Sequence, residues 1–516
     1  MDERIAAAVR LLPDYLGQHV ALSASALALG TAVSLPLAVV IARRPALRWP
    51  VLAAASLIQT IPGLALLALF YPLLLGLSHL TVAWFGLGVP ALGFLPSLLA
   101  LTLYAVLPIL RNAVTGLVGI DPAVIEAADG VGMTARQRLW RVEAPLAAPI
   151  VMAGVRTAAV WTIGAATLST PVGQTSLGNY IFAGLQTENW VFVLFGCGAA
   201  AVLAMAADQL LGLVEAGAAR RDRRRVLLGL LGLVLGAVAA LAPLVHAAPR
   251  TYVVGAKNFS EQFILASLIQ DRLQKQGDTV ARKDGLGSAV VFRALAAGDI
   301  DVYVDYSGTL WTNVLDRKDS PDRQVMLAEL TRELKSRYGV TVLGALGFEN
   351  AYTLAMKGDA ARSLRVASLD DLTSRAPGLV LGGDLEFLSR PEWTAIRSAY
   401  ALRFRAQKSF NPTFMYRALE SGQADVISAF SSDGRIAADR LVVLSDPRHA
   451  IPAYDAVLLL SPRRAHDRRL IGALQPLVGR IPVERMREAN LSVDRDAQKL
   501  SPEQAAADLA RATGLQ

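Results

Sequence analysis

The chain has 516 residues, 53% hydrophobic and 18% charged, with a net charge of +8 and a mean hydropathy of +0.40. This composition excludes intrinsic disorder, which needs low hydrophobicity and dense charge. The single cysteine, Cys197, excludes an intramolecular disulfide and a cysteine-rich metal site.

Charge is distributed unevenly. Residues 1–249 hold 15 Arg, no Lys and 11 Asp/Glu, and the first lysine is Lys257. Residues 250–516 hold the other 36 Lys/Arg and 32 Asp/Glu. The first half has the charge density of a membrane domain, and the second that of an ordinary soluble domain. A boundary near Pro249 follows.

A membrane helix needs about 20 mostly apolar residues. Apolar runs predict spans at 19–42, 51–76, 90–115, 146–169, 189–216 and 226–246. The first three contain Pro36, Pro62 and Pro108. Neighbouring helices can re-satisfy the carbonyl that a proline frees. Orientation follows from arginines in short loops. Arg43, Arg44 and Arg48 follow span one; Arg136, Arg138 and Arg141 follow span three; Arg220, Arg221, Arg223, Arg224 and Arg225 follow span five. Loops 77–89 and 170–188 carry no Lys or Arg. The basic loops share one side, which is predicted to be cytoplasmic, and residues 250–516 then lie outside. Glu188 and Asp208, near or in span five, are functional candidates by their depth.

Residues 219–249 admit two readings. A basic run, an apolar core and Val245-His246-Ala247 have the form of an internal signal peptide with a small-residue cleavage site. The preferred reading is an uncleaved sixth span that tethers the outer domain.

The loop at 121–145 reads as helix, turn, helix. Glu126-Ala127-Ala128 propagates a helix, Gly132 supplies a positive φ to end it, and Thr134 caps the next. This spacing resembles the EAA loop of ABC-importer permeases, with Glu126, Ala127, Ala128, Gly132 and Pro145 in register. Val142-Glu143-Ala144 departs from the family's usual Ile-x-Leu. The resemblance implies a short coupling helix that docks on a cytoplasmic ATPase. The chain contains no Gly-Lys pair and hence no phosphate-cradling G-x-x-x-x-G-K-[ST] loop. ATP hydrolysis is therefore expected from a separate ATPase dimer, and a second permease copy is expected to complete the path.

Residues 250–516 alternate short apolar runs with helical stretches. Strands are predicted at 251–255, 301–305, 379–381, 425–427 and 457–460. Ser260 is predicted to cap a helix that buries Phe263, Ile264, Ser267, Leu268 and Leu273. The pattern is α/β, and the length favours two lobes with a cleft. The motifs Gly255-Ala256-Lys257-Asn258-Phe259-Ser260-Glu261-Gln262, Asp305-Tyr306-Ser307-Gly308-Thr309, Gly347-Phe348-Glu349-Asn350-Ala351-Tyr352, Glu386-Phe387-Leu388-Ser389-Arg390, Ala429-Phe430-Ser431-Ser432-Asp433-Gly434 and Pro452-Ala453-Tyr454-Asp455 resemble extracytoplasmic binding proteins for glycine betaine, choline and carnitine.

The resemblance implies a two-lobed α/β periplasmic-binding-protein domain after an all-α membrane domain of about six helices. It divides the chain into a permease at 1–218, a basic stretch and tether at 219–249, and a binding domain at 250–516. It implies an aromatic box at Tyr306, Tyr352, Phe430 and Tyr454. Phe430 departs from the family's usual Tyr, keeping the ring face and losing the hydroxyl. A ligand carboxylate would meet Lys257, Thr309 and Arg390, and Glu386 would orient Arg390 or meet the cation. A quaternary ammonium has no N–H, so π-faces and van der Waals contact must hold it, at about 0.5–2 kcal/mol per desolvated cation–π contact. Trp311 and Trp393 are assigned to packing.

The predicted function is the permease and binding subunit of an importer for quaternary ammonium compounds in the cell membrane. No catalytic residue, metal, cofactor or nucleic-acid partner is expected; lipid surrounds the spans. The alternatives are an importer of ergothioneine with the same architecture and, from another class, a membrane-anchored ligand sensor. The sensor would require a cytoplasmic output domain, and the cytoplasmic loops are short. The histidines form no H-E-x-x-H pair and no G-x-S-x-G elbow occurs, which weighs against an enzyme.

Overall fold

The computed structural model describes residues 3–85, 88–187, 189–245, 251–495 and 498–515. Glu188, His246, Ala247 and the boundary at Pro249 lie outside the described residues. The chain forms two compact units, one from most of residues 1–247 and one from 248–516.

The first unit is all helical. Its elements are α1 (Glu3–Ala42), α2 (Pro45–Thr60), α3 (Gly63–Phe85), α4 (Phe94–Val118), α5 (Pro122–Gly130), α6 (Ala135–Arg138), α7 (Ala144–Ala166), α8 (Gly178–Gln186), α9 (Trp190–Arg220) and α10 (Arg223–Val245). Among the described residues, five helices are long and apolar enough to cross a membrane, or six if α2 and α3 count as one bent span. Lipid-type side chains such as Leu194, Val202, Met205, Leu228, Leu231 and Val238 stand exposed on α9 and α10. In water such surfaces would drive association; in a bilayer they meet their own kind.

The second span departs from its prediction. Residues 51–76 do not form one straight helix, because α2 ends at Thr60 and α3 leaves at 100° to it. Pro62 is the cause. The residue before a proline is pushed out of the helical region, and Ile61 is extended at φ −72°, ψ 126°. The Ile58 carbonyl, four residues before Pro62, accepts instead from the Ile61 amide at 3.2 Å, and the Tyr104 hydroxyl of α4 donates to the oxygen of Ile61. Pro36 and Pro108, by contrast, sit inside α1 and α4. The first span also begins earlier than predicted, at Glu3.

Small residues set the helix spacing. A Cβ on Gly154 of α7 would lie 2.7 Å from the Asn112 Cβ of α4. Arg156 of α7 pairs with Asp208 of α9 at 2.5 and 2.7 Å and reaches Glu215 at 3.3 Å. Asp208 is therefore an ion-pair partner of Arg156, a residue that hydropathy alone passes over.

The second unit is α/β, with ten strands among the described residues: β1 (Tyr252–Lys257), β2 (Val280–Leu286), β3 (Val302–Tyr306), β4 (Thr341–Glu349), β5 (Tyr352–Lys357), β6 (Val380–Gly383), β7 (Ala406–Ser409), β8 (Val426–Phe430), β9 (Leu441–Val443) and β10 (Asp455–Leu460). One sheet has the order β2-β1-β3-β10-β4 and the other β7-β6-β8-β5-β9. The chain builds the first lobe through β4, crosses to the second for β5–β9, and returns for β10. All five predicted strands are present. The helix predicted after β1 is α11 (Ser260–Lys275), and it buries Phe263, Ile264, Ser267, Leu268 and Leu273. Ser260 is not its cap. The N-cap position is Phe259, and the Ser260 hydroxyl donates instead to Asp494.

Candidate ligand-binding site

The topology gathers the cleft residues. In open α/β sheets ligands sit beyond the carboxyl ends of the parallel strands. Lys257 and Tyr306 end β1 and β3, which run parallel, and Phe430 ends β8. Tyr352 opens β5, which is antiparallel to β8 with Tyr352 opposite Phe430. Tyr454 precedes β10, which is antiparallel to β3 with Ala456 opposite Tyr306. The start of an antiparallel strand lies at the same sheet edge as the end of its partner. Residues far apart in sequence thus meet at one rim.

There they line a cavity of about 350 Å³. All eight residues assigned to the ligand from sequence, Lys257, Tyr306, Thr309, Tyr352, Glu386, Arg390, Phe430 and Tyr454, line it. The Tyr352 ring is 5.0 Å from Phe430 and 5.8 Å from Tyr454, the latter edge-on at 89°. Phe259 adds a fifth ring, 6.2 Å from both Tyr306 and Phe430 and nearly parallel to Phe430 at 5°. Gly308 makes room for this packing, since a Cβ there would lie 2.4 Å from the Tyr454 ring. Burial pushes the phenols of Tyr306, Tyr352 and Tyr454 well above their ordinary pKa. They stay protonated, and Tyr306 and Tyr454 donate to the carboxylates of Glu261 and Glu392.

The cations are already paired. The Lys257 ammonium bonds the buried Asp305 carboxylate and stands 5.2 Å from the centre of the Tyr306 ring. The Arg390 guanidinium grips Glu392 with Nε at 3.1 Å and Nη2 at 2.9 Å. It also donates to Glu386 at 2.7 Å and to the Thr309 hydroxyl at 3.1 Å. Its charge centre lies 5.0 Å from the Tyr352 ring centre. Burial alone would raise the Glu392 pKa, but Arg390 and the Tyr454 hydroxyl outweigh it and hold this carboxyl below its ordinary value. Several bonds join the lobes across the cleft: Thr309 to Arg390, Thr312 to Glu392 at 2.9 Å, and Ser288 to Glu386 at 2.9 Å.

Sequence reasoning assigned no role to Phe259, Glu261, Asp384 or Glu392. Phe259 and Glu261 lie inside a quoted motif, so proximity to Lys257 was an available signal. Glu392 follows Arg390 by two residues, a spacing that reads as a surface pair until burial is known. Asp384 caps the helix Leu385–Ser389 by accepting from the Phe387 amide at 2.9 Å, and it also lines the cavity.

In the first unit, α5 is N-capped by Asp121, which accepts from the Ala123 amide at 2.9 Å. Glu126 and Ala127 face solvent while Ala128 is buried. Gly132 has φ +77°, as the turn requires. Thr134 forms a capping box with Gln137, and a π-helical turn at Leu139–Glu143 leads to Pro145 in α7. Arg138 fastens the segment, bonding Asp129 at 2.6 Å and Glu143 at 2.7 Å. Val131 and Trp140 are left exposed.

Two domain families match this chain. The substrate-binding domain of ABC-type glycine betaine transport systems matches residues 250–512. The inner membrane component of binding-protein-dependent transport systems matches residues 34–220. The ergothioneine transport permease/ergothioneine binding protein EgtU of Helicobacter pylori is 28% identical over 89% of this chain and 83% of its own length. The choline transport system permease protein OpuBB of Bacillus subtilis is 37% identical over 38% of this chain and 84% of its own length. A crystal structure of a glycine betaine/carnitine/choline ABC transporter protein is 24% identical, with a TM-score of 0.45, over 51% of this chain and 99% of that one.

The chain belongs to both families. It is a membrane protein, an ABC-importer permease fused to a glycine betaine-type substrate-binding domain, and so takes a small-molecule ligand and works with an ATPase.

Proposed function

From that membership we propose that the chain imports a quaternary ammonium compound such as glycine betaine, choline or carnitine. The observation that carries this reading is the cluster of Tyr306, Tyr352, Phe430 and Tyr454 around one cavity, with Phe259 stacked behind. A methylated cation offers no proton to share, and ring faces are the groups that hold it without one. Residues 1–218 form the permease, 219–249 the tether, and 250–516 the binding domain on the extracytoplasmic side. Two copies pair in the lipid bilayer to complete the path. A separate ATPase chain docks on residues 121–145 through Glu126, Ala127, Ala128, Gly132 and Pro145. Arg390 and Thr309 meet a ligand carboxylate, Lys257 adds positive charge beside it, and Glu386 orients Arg390.

A second reading keeps the architecture and changes the ligand to ergothioneine. The fused Helicobacter pylori relative aligns across both halves. The cavity also extends past the rings to Asp384, Ser409 and Asn411, polar groups suited to an imidazole-thione. Calorimetry on the full chain in lipid nanodiscs, against glycine betaine, choline, carnitine and ergothioneine, separates the two. Binding of none of them contradicts both. Uptake into proteoliposomes that proceeds without ATP and the ATPase contradicts the importer mechanism.

A further inference from the structure

Two tyrosines of the ring cluster donate their hydroxyls to buried carboxylates. Tyr454 donates to Glu392, whose charge Arg390 balances. Tyr306 donates to Glu261 at 2.6 Å, and Glu261 is different. It is buried at the start of α11, and among the described residues its hydrogen-bond partners are all uncharged. Oε1 accepts from the Tyr306 hydroxyl and from Asn350 Nδ2 at 3.0 Å. Oε2 accepts from the Ser432 hydroxyl at 2.6 Å and from Asn490 Nδ2 at 2.8 Å. Gln262 Nε2 donates to the Tyr306 oxygen at 2.9 Å, which leaves the phenol proton for Glu261. Burial pushes the Glu261 carboxyl above its ordinary pKa, and four donors on its two oxygens oppose that shift by favouring the ionised form.

A phenol that donates to a carboxylate gains electron density, and a richer ring face attracts a cation more strongly. The same carboxylate joins the lobes, since Tyr306 belongs to the first and Ser432 follows β8 of the second. We propose that Glu261 is a positioning residue that acts through Tyr306, fixing the ring and enriching its face, so that the cavity discriminates a quaternary ammonium from its neutral carbon isostere. This rests on the quaternary ammonium reading above. Shape alone cannot make that distinction, because trimethylammonium and tert-butyl groups have nearly the same size.

The test compares choline with 3,3-dimethylbutan-1-ol, its uncharged isostere, by calorimetry on the full chain in nanodiscs. Glu261→Gln should cut the preference for choline by at least about threefold, as expected when part of a desolvated cation–π contact is lost. Tyr306→Phe keeps the ring and removes the link, and should show a loss of similar size. The double variant should lose little more than either single one. If Glu261→Gln misfolds, Tyr306→Phe alone decides. Equal losses for choline and the isostere would mean a purely structural Glu261 and would overturn the proposal, as would an unchanged preference in Tyr306→Phe. Failure of the unmodified chain to bind choline more tightly than the isostere would remove the quaternary ammonium reading itself, and the proposal with it.

Discussion

Replacing Arg390 with Met keeps much of the side chain's apolar bulk and deletes its charge. Glu392, 2% exposed, would then keep the hydroxyls of Thr312 and Tyr454 and its own backbone amide as donors, all of them uncharged. Removing one partner of a buried pair costs roughly 3–5 kcal/mol, because the other charge stays behind uncompensated. Glu386 is half exposed and water can solvate it, so its lost bond adds little. The expected penalty is therefore about 3 kcal/mol, almost all of it owed to Glu392. Adding Glu392→Gln should return most of it. Hydrogen exchange on the full chain, read at peptides covering β6 and β10, measures the opening free energy of each variant. A single-variant cost below about 1 kcal/mol, or a double variant no better than the single, would refute the reasoning.

Three further outcomes follow. Tyr352→Ala removes a ring that touches Phe430 and Tyr454; it should weaken choline binding by roughly tenfold or more in calorimetry, against about 0.5–2 kcal/mol per cation–π contact. Glu126→Ala or Arg138→Ala should leave ligand binding intact and lower ATP-driven uptake severalfold, and a loss of binding in either would contradict a role confined to coupling. Burial lifts the Asp494 carboxyl to about 6, so the folded state holds its proton over a window in which the unfolded chain has released it. Stability from this group is present at pH 4 and is lost as pH rises through 6. Relative to Asp494→Asn, the unmodified chain should lose roughly 2–3 kcal/mol between pH 4 and 7, and a flat difference by hydrogen exchange or urea unfolding would contradict it.

The spans were legible because a bilayer demands long apolar runs, and the loops because their turn residues act locally. Gly132 and Thr134 each do in the structure what their chemistry predicts. Pro62 shows where that local reading stops. The same residue type is absorbed at positions 36 and 108 and stands at the helix break at 62, where the hydroxyl of Tyr104 takes up the Ile61 carbonyl. In the binding unit, strands with continuous Val and Leu, such as β10, stood out. β2, written Val280-Ala281-Arg282-Lys283-Asp284-Gly285-Leu286, did not, because a half-exposed edge strand carries charge. The eight cleft residues follow from motifs, while Glu392 gains meaning only from burial that the fold creates, and the motif around Lys257 does not show that Glu261 is buried against Tyr306.

The central claim is that Tyr306, Tyr352, Phe430 and Tyr454 receive a methylated cation. An electron-microscopy or crystal structure of the full chain with choline measures this directly. The quaternary nitrogen should lie within about 6 Å of these ring centres. Choline density elsewhere, or a cavity in which the four rings turn away from the cation, would contradict the account.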